Sequence, residues 1–211
     1  MKLNIGLIDY GMGNLHSVEQ SFKRLNQKIY IVKDPLDLDN CHALILPGVG
    51  SFDPAMKNLQ QTNLIPDLKK WVIDKKPLLG ICLGLQLLFE ASDEGSESGL
   101  GLIKGEIKHL PIAQNQLIPH MGWAELNKQK ECPLFQKEDT AQWMYFVHSY
   151  SAVPAIQEDI AATVDFGKEK ITAIIWKENL SACQFHPEKS GKSGERLLSR
   201  WLSWVKEEIS S

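Results

Sequence analysis

The chain has 211 residues, of which 43% are hydrophobic and 23% charged, with a formal net charge of −3 and a pI of about 6.1. This is ordinary globular composition, and we expect residues 1–211 to form one domain. Neutralising phosphates needs clustered lysines and arginines, so the charge balance argues against a nucleic-acid-binding protein. No run approaches the roughly 18 apolar residues of a membrane span, so we expect no membrane association.

The cysteines are widely separated along the chain: Cys41, Cys82, Cys132 and Cys183. None forms a C-x-x-C pair, so the spacing typical of zinc or redox sites is missing from the sequence. The N-terminus also lacks the long apolar segment and the cleavage site of a signal peptide. We therefore expect a reduced cytoplasmic protein with free thiols, no metal and no cofactor.

In the first half, short apolar runs alternate with amphipathic ones, which predicts alternating strands and helices. Strands are predicted at residues 3–8, 29–32, 43–46 and 78–81. Helices are predicted from about Asn14, from near Ser51 or Asp53, and over residues 64–74 and 83–89. This order favours a mostly parallel sheet with helices on both faces.

The pattern changes after residue 91. Residues 92–98 are polar and look mobile, and strand-like runs then dominate at residues 102–110, 143–150, 160–166, 171–176 and 180–185. Short turns between several of them favour antiparallel pairing. A last helix is predicted over about residues 194–209. The prediction is an α/β fold with a mostly parallel central sheet, flanking helices and additional antiparallel strands in the second half.

Two glycine-containing segments look like nucleotide-binding loops. In the first, Gly11-Met12-Gly13-Asn14-Leu15-His16, a histidine replaces the third glycine that a dinucleotide turn needs. Asp34 lies near the place of a ribose-binding acid, so a dinucleotide site stays open as a minor alternative. In the second, Gly191-Lys192-Ser193, the first glycine of a phosphate loop would be residue 186, which is a histidine; this excludes that motif.

The segment Gly80-Ile81-Cys82-Leu83-Gly84 lies between a predicted strand and a predicted helix. A G-x-C-x-G segment in this position is typical of a nucleophile elbow with sulfur in place of oxygen. The glycines permit a sharp turn, and the start of the helix favours a thiolate. A buried, inert cysteine is the alternative.

A thiolate nucleophile needs an acid/base partner, and His186-Pro187-Glu188 closes the last predicted strand. In extended backbone, residues two apart point to the same side, so His186 and Glu188 can face one another. Glu188 would then orient the imidazole and stabilise its charged form. A lone structural histidine is the alternative, and the combination with the cysteine elbow argues against it.

Backbone N–H groups near Cys82 could bind an oxyanion. The residue after an elbow nucleophile, here Leu83, commonly offers its N–H, and the turn Pro47-Gly48-Val49-Gly50 could offer a second one. Gln86 lies four residues after Cys82 and so shares its helix face. An ordinary glycine turn and ordinary core packing explain these residues equally well.

Taken together, the chain resembles the class I (triad) glutamine amidotransferases over essentially its whole length. The segments that carry the resemblance are residues 9–15, 47–52, 80–86, 119–123, 145–150 and 185–191. The resemblance implies a catalytic triad of Cys82, His186 and Glu188 that hydrolyses glutamine to glutamate and ammonia. It also implies an oxyanion hole from Val49, Gly50 and Leu83. The substrate-binding residues it implies are Gly48, Gln86, His148, Ser149 and Tyr150.

Within the family, residues 9–15, 119–123 and 145–150 narrow the match to glutaminase subunits of histidine biosynthesis. The resemblance then implies a (β/α)₈-barrel cyclase partner that receives the ammonia. That complex forms imidazole glycerol phosphate and aminoimidazole carboxamide ribotide. The implied interface and channel residues are Asn14, His120, Met121, Trp123 and Lys189.

Three rival functions remain open at this point. The chain could be an amidotransferase that serves another pathway, or a cysteine hydrolase that acts on peptide or γ-glutamyl bonds without a partner. It could also be an interaction module that kept the fold without catalysis. The presence of Cys82, His186 and Glu188 together argues against the last of these.

Overall fold

An eight-stranded sheet forms the centre of the computed structural model, which describes residues 3–111, 117–136 and 139–210. The strands are β1 (Ile5–Ile8), β2 (Ile29–Val32), β3 (Ala43–Leu46), β4 (Leu78–Ile81), β5 (Ala91–Ser92), β6 (Gly105–His109), β7 (His120–Glu125), β8 (Asn127–Lys128), β9 (Trp143–His148), β10 (Tyr150–Pro154), β11 (Ile160–Phe166), β12 (Glu169–Lys177) and β13 (Leu180–Cys183). The α-helices are α1 (Leu15–Arg24), α2 (Phe52–Gln61), α3 (Ile65–Ile73), α4 (Leu83–Leu87) and α5 (Gly191–Ser210). Short 3₁₀ turns cover Pro35–Asn40, Gln157–Asp159 and Pro187–Lys189.

The main sheet has the strand order β2-β1-β3-β4-β13-β12-β11-β8. Its first five strands are parallel, and β12, β11 and β8 continue it in antiparallel pairing. Parallel neighbours need a crossover, whereas antiparallel neighbours can be joined by short turns, as β11 and β12 are here. The predicted mostly parallel sheet with antiparallel strands in the second half is confirmed.

Helices cover both faces of this sheet. On one face α1 and α5 pack together, with the rings of Phe22 and Trp201 in an edge-to-face contact at 6.2 Å. On the other face α2 and α3 contribute Phe52 and Trp71 to a second core. The sheet is therefore buried on both sides, which explains why its parallel strands are continuous apolar runs. In the described parts of the chain, no helix is both long and apolar enough to cross a membrane.

Three local features differ from the predictions. The predicted strand over residues 143–150 divides after His148, and its two parts join different sheets: β9 pairs with β7, while β10 pairs with β6. Strands β5, β7 and β8 were not predicted, because none of them contains a long run of alternating apolar residues. The polar segment 92–98 is tied to α2, since the carboxylate of Asp53 accepts hydrogen bonds from the backbone of Ser96 and Glu97.

The carboxyl ends of β3, β4 and β13 lie side by side at one edge of the main sheet. Pro47 follows β3, Cys82 follows β4, and Gln184 follows β13. Open α/β sheets place their ligands at this edge, so the motifs found in the sequence converge there.

Candidate active site

Cys82 occupies a sharp turn between β4 and α4. Its backbone φ is 54° and its ψ is −112°, a conformation that residues other than glycine rarely adopt. The turn is held because the Cys82 N–H donates to the carbonyl of Cys183 on the neighbouring strand, at 2.8 Å. A Cβ on Gly84 would lie 1.9 Å from the carbonyl oxygen of Leu46, so only glycine lets α4 start so close to β3. The sharp turn between strand and helix that the sequence predicts is therefore present at Cys82.

His186 and Glu188 form a buried pair. Their Nδ1 and Oε1 atoms lie 2.8 Å apart, and the two side chains are 3% and 2% exposed. The pair was predicted from extended backbone, but Glu188 lies instead in the 3₁₀ turn Pro187–Lys189 that follows His186. Because Nδ1 faces a carboxylate, it carries a proton. The other ring nitrogen, Nε2, lies on the side of the imidazole that faces Cys82.

Two neighbouring groups decide the charge of the His186 ring. Burial alone would lower the pKa of His186, but the nearby Cys82 sulfur and the hydrogen-bonded Glu188 carboxylate raise the pKa above that of a free histidine. The structure therefore favours an imidazolium held between sulfur and carboxylate.

A cavity of about 410 Å³ opens in front of these groups. It is lined by Val49, Gly50, Cys82, Leu83, Gln86, Glu94, Pro119, Val147, His148, Ser149, Tyr150 and His186. A larger cavity of about 780 Å³ lies between β10 and the β11–β12 hairpin, and neither Cys82 nor His186 lines it. Chemistry rather than size therefore identifies the candidate site.

Most residues that the resemblance assigns to oxyanion and substrate binding line the 410 Å³ cavity. Gly48 is the exception. A Cβ there would lie 2.6 Å from the hydroxyl oxygen of Tyr10 and 2.8 Å from the Cβ of Leu83, so Gly48 packs behind the cavity wall.

The candidate oxyanion donors differ in their availability. Leu83 opens α4, where backbone N–H groups have no partner within the helix. The N–H of Val49, in contrast, donates to the carbonyl oxygen of Met12 at 2.9 Å. The next residue, Gly50, has a φ of +101°, which is a glycine conformation. In this structure the Val49 N–H is therefore directed away from the cavity.

Sequence reasoning missed Glu94, which lines the cavity from the 92–98 segment. Its carboxylate accepts a hydrogen bond from the N–H of Phe52, the first residue of α2, at 2.9 Å. Partial burial raises the pKa of Glu94, and the hydrogen bond from Phe52 opposes this rise. Nothing local marks this glutamate, since the contact spans 42 positions of the chain.

His148 joins the cavity to β7. Its Nδ1 lies 2.8 Å from the carbonyl oxygen of Tyr150, and its Nε2 lies 3.1 Å from Nδ1 of His120. Burial lowers the pKa of His148 to about 4, so the ring is neutral near pH 7. Gln86 donates to the same Tyr150 carbonyl at 3.3 Å.

The outer side of the β7–β9 pair presents apolar side chains to solvent. Met121 pairs with Val147 and Trp123 pairs with Tyr145, and we call these four residues the docking face. Met121 is 62% exposed and Trp123 53% exposed, so these neighbouring side chains present a shared apolar surface to solvent. His120 lies behind this face, stacked on Phe146.

The other residues implied at the interface are exposed. Asn14 caps α1 by accepting a hydrogen bond from the N–H of Ser17, and Lys189 closes the 3₁₀ turn after His186. Within the described residues, no group of three or more histidine, cysteine, aspartate or glutamate side chains is placed to hold a metal ion.

The geometry agrees with a family assignment from sequence. Residues 6–203 match the family model "Glutamine amidotransferase class-I". The chain belongs to the class I glutamine amidotransferase family.

Its relatives narrow the assignment. The chain is 75% identical over 208 residues to an imidazole glycerol phosphate synthase subunit HisH of Prochlorococcus marinus, covering 99% of this chain and 98% of that protein. It is 54% identical to the protein of the same name from Synechococcus sp. (strain CC9605), covering 98% and 97%. The chain is thus a member of the family of HisH subunits.

Solved structures support the fold. A chain in the structure of PurLQS from Thermotoga maritima matches with a TM-score of 0.77 at 18% identity, covering 97% of this chain and 100% of that chain. A putative GMP synthase protein from Thermoplasma acidophilum matches with a TM-score of 0.72 at 17% identity, covering 100% and 97%. At these identities the likeness concerns the fold alone.

Proposed function

We propose that this chain is a glutaminase in which Cys82 is the nucleophile, His186 the general acid and base, and Glu188 the residue that orients His186. The observation that carries the proposal is the line formed by the Cys82 sulfur, the His186 ring and the Glu188 carboxylate, in which Cys82 and His186 line one cavity and Glu188 is buried against His186. A nucleophile, a base within hydrogen-bond reach and a third group that orients the base are the parts that acyl transfer requires.

The proposed reaction has two stages. The Cys82 thiolate attacks the side-chain amide carbon of glutamine, and the His186 imidazolium gives its proton to the departing ammonia. A glutamyl thioester remains on Cys82. Water then attacks the thioester while His186 takes a proton from it, and glutamate leaves. The raised pKa of His186 supports the first stage, because it supplies an imidazolium beside the sulfur.

We infer that the oxyanion hole needs a local rearrangement to be complete. The N–H of Leu83 supplies one donor at the elbow. The N–H of Val49 becomes a second donor only when it leaves the carbonyl of Met12. The peptide that carries this N–H joins Gly48 to Val49, and it can rotate because glycine at position 48 has a wide range of backbone torsions. Since one oxyanion donor is typically worth about 10²–10³ in rate, the isolated chain is expected to be slow.

We expect charge complementarity to orient glutamine in the cavity. The α-ammonium of glutamine is positive, and Glu94 is the acidic side chain among the residues that line the cavity. The segment from His148 to Tyr150 and the side chain of Gln86 line the same cavity, and we expect them to bind the rest of the amino acid. Gly48 supports the cavity wall at Leu83 by admitting Leu83 and Tyr10 to close contact.

We also propose that residues 1–211 act as one domain in the cytoplasm, assembled with a (β/α)₈-barrel cyclase. The relatives are named as subunits of imidazole glycerol phosphate synthase. Exposed apolar residues of the docking face supply a surface for such a partner. Asn14, His120 and Lys189 belong to the same proposed interface and ammonia path. Direct transfer keeps ammonia from being protonated and diluted in water, and yields imidazole glycerol phosphate and aminoimidazole carboxamide ribotide.

The test measures glutamate release and imidazole glycerol phosphate formation with and without a cyclase partner. We expect low glutaminase activity alone and a large increase with the cyclase and its ligand. Cys82→Ala should abolish activity in the complex. Cys183→Ala is the matched control, since Cys183 is a buried free cysteine on the adjacent strand. An active Cys82→Ala complex would refute the nucleophile, and full activity without a cyclase would favour a hydrolase that needs no partner.

A further inference from the structure

Ser190 takes part in a closed ring of hydrogen bonds with the backbone of His186. The Ser190 hydroxyl donates to the carbonyl oxygen of His186 at 2.6 Å and accepts from the N–H of Tyr145 at 2.9 Å. The His186 N–H donates to the carbonyl oxygen of Tyr145 at 3.0 Å and closes the ring. The two backbones are thus joined by one direct bond and by one bond that passes through a hydroxyl.

This ring is buried and held from three sides. Ser190 is 1% exposed, and its N–H donates to the carbonyl of Pro187 in the 3₁₀ turn. Its own carbonyl accepts from Gly194 in the first turn of α5. The hydroxyl proton has a single acceptor and the hydroxyl oxygen a single donor, so the orientation of the hydroxyl is determined. Removal of the hydroxyl would leave a strand N–H without its partner in a dry environment.

The ring of hydrogen bonds also joins the docking face to the backbone of His186. Tyr145 belongs to that face, where it pairs with Trp123 and contacts its ring at 6.0 Å between centroids. Tyr145 therefore has its side chain in the docking face, while its backbone N–H and carbonyl both belong to the ring of hydrogen bonds. A displacement of β9 reaches the His186 backbone through two short hydrogen bonds.

We propose that Ser190 is a positioning residue that couples the docking face to the His186 imidazole. It touches neither the cavity nor the reacting atoms, and it acts by fixing the backbone of His186 relative to β9. This inference rests on the proposed function of His186 and of the docking face. Since small misplacements of a catalytic group can cost about 10²-fold in rate, loss of the ring should reduce turnover more than glutamine binding.

The experiment compares Ser190→Ala with Ser181→Ala in the complex with a cyclase. Ser181 is a matched control, because it is fully buried and donates one hydroxyl hydrogen bond, to Leu78 at 3.2 Å, near the amino end of β13. We expect Ser190→Ala to lower kcat for glutamine hydrolysis at least about tenfold, with KM changed less than about twofold. Stimulation by the cyclase should fall with it. Ser181→Ala should keep kcat within about twofold.

A second variant and a second measurement keep the test decisive if Ser190→Ala is poorly folded. Ser190→Cys keeps a side chain of similar shape with a weak hydrogen-bonding group, so its kcat should lie between those of wild type and Ser190→Ala. The pKa of His186, measured by NMR titration of its ring, should shift in the Ser190 variants and stay unchanged in Ser181→Ala. Equal kcat losses in Ser190→Ala and Ser181→Ala would overturn the positioning role, as would wild-type kcat in both Ser190 variants. Cys82→Ala tests the proposed reaction separately. If it abolishes activity, the proposed reaction stands, and the results with the Ser190 variants then test the positioning role of Ser190 alone.

Discussion

His186 and Glu188 are joined by a hydrogen bond of 2.8 Å between Nδ1 and Oε1, although only a proline separates them in the chain. The 3₁₀ turn that Pro187 begins brings the carboxylate back to the ring. Such a short-range contact leaves the other edge of the imidazole free for Cys82, which approaches from a different strand. Glu188 and Cys82 therefore adjoin different sides of the His186 ring, as the proposed triad requires.

Glu188→Gln should test the value of that carboxylate. The amide keeps nearly the same shape and can still accept from Nδ1, but it removes the negative charge that stabilises the imidazolium. We expect kcat to fall by roughly 10²–10⁴ and the pKa of His186 to fall. Steady-state kinetics of the complex and an NMR titration of the ring measure the two effects.

Glu94→Gln is the contrasting variant. Glu94 lines the cavity, whereas Glu188, the carboxylate partner of His186, does not. It should raise KM for glutamine more than it lowers kcat. Unchanged kcat in Glu188→Gln would contradict the orienting role of Glu188.

Trp123→Ala should weaken assembly with the cyclase. A half-exposed tryptophan in an apolar face is the type of side chain that dominates binding energy. We expect the dissociation constant to rise roughly 10- to 100-fold, measured by calorimetry. Ile73→Ala is the control, because Ile73 is 77% exposed but lies on α3, outside the docking face. If both variants bind equally well, the docking face is misassigned.

Acid should destabilise the fold through His148. Its folded-state pKa is lowered to about 4, whereas a histidine in the unfolded chain titrates near about 6.5. Protonation therefore favours the unfolded chain, and the stability present above about pH 6.5 is lost as the pH falls towards 4. The loss from this residue is about 3 kcal/mol at most.

Urea unfolding between pH 7 and pH 4 measures this loss. His148→Gln should flatten the pH dependence of the unfolding free energy. His16→Gln, a change at an exposed histidine, should leave the slope in place. A His148→Gln slope as steep as that of wild type would assign the acid sensitivity to other groups.

Asp139→Asn should destabilise the protein at neutral pH. The Arg200 guanidinium holds both carboxylate oxygens of Asp139 at 2.6 Å, and the Asp139 side chain is 3% exposed. The same guanidinium keeps the pKa of Asp139 well below its usual range. Breaking a buried ion pair from one side costs about 3 kcal/mol. Its stabilisation is present at neutral pH and is lost as the carboxylate is protonated in acid.

Asp74→Asn is the matched control for this change. Asp74 pairs with Lys70 on the surface, and exposed pairs are worth at most about 1 kcal/mol. Denaturant unfolding of both variants at pH 7 separates the two cases. Equal losses of unfolding free energy would mean that the Asp139–Arg200 pair stabilises the fold no more than a surface pair does.

The local signals in the sequence were sufficient for the central sheet and the elbow. Strands β2, β3, β4 and β11 begin and end at the predicted residues. Strands β2 and β3 are continuous apolar runs, β4 is interrupted by Gly80, and β11 is apolar apart from Thr163 and Asp165. Such runs depend on neighbours within a few positions. The elbow at Cys82 and the His186–Glu188 contact are local in the same sense.

Long-range contacts decided the rest. Glu94 enters the cavity because α2 binds its carboxylate, Ser190 meets Tyr145 across 45 positions, and the Val49 N–H is held by Met12. Strand β7 exists because β9 pairs with it. None of these contacts leaves a periodic pattern, since each depends on chain segments brought together only by packing. The sequence by itself thus determined the class of fold and the local turns that carry Cys82 and the His186–Glu188 pair, whereas the tertiary structure decided which groups surround these residues.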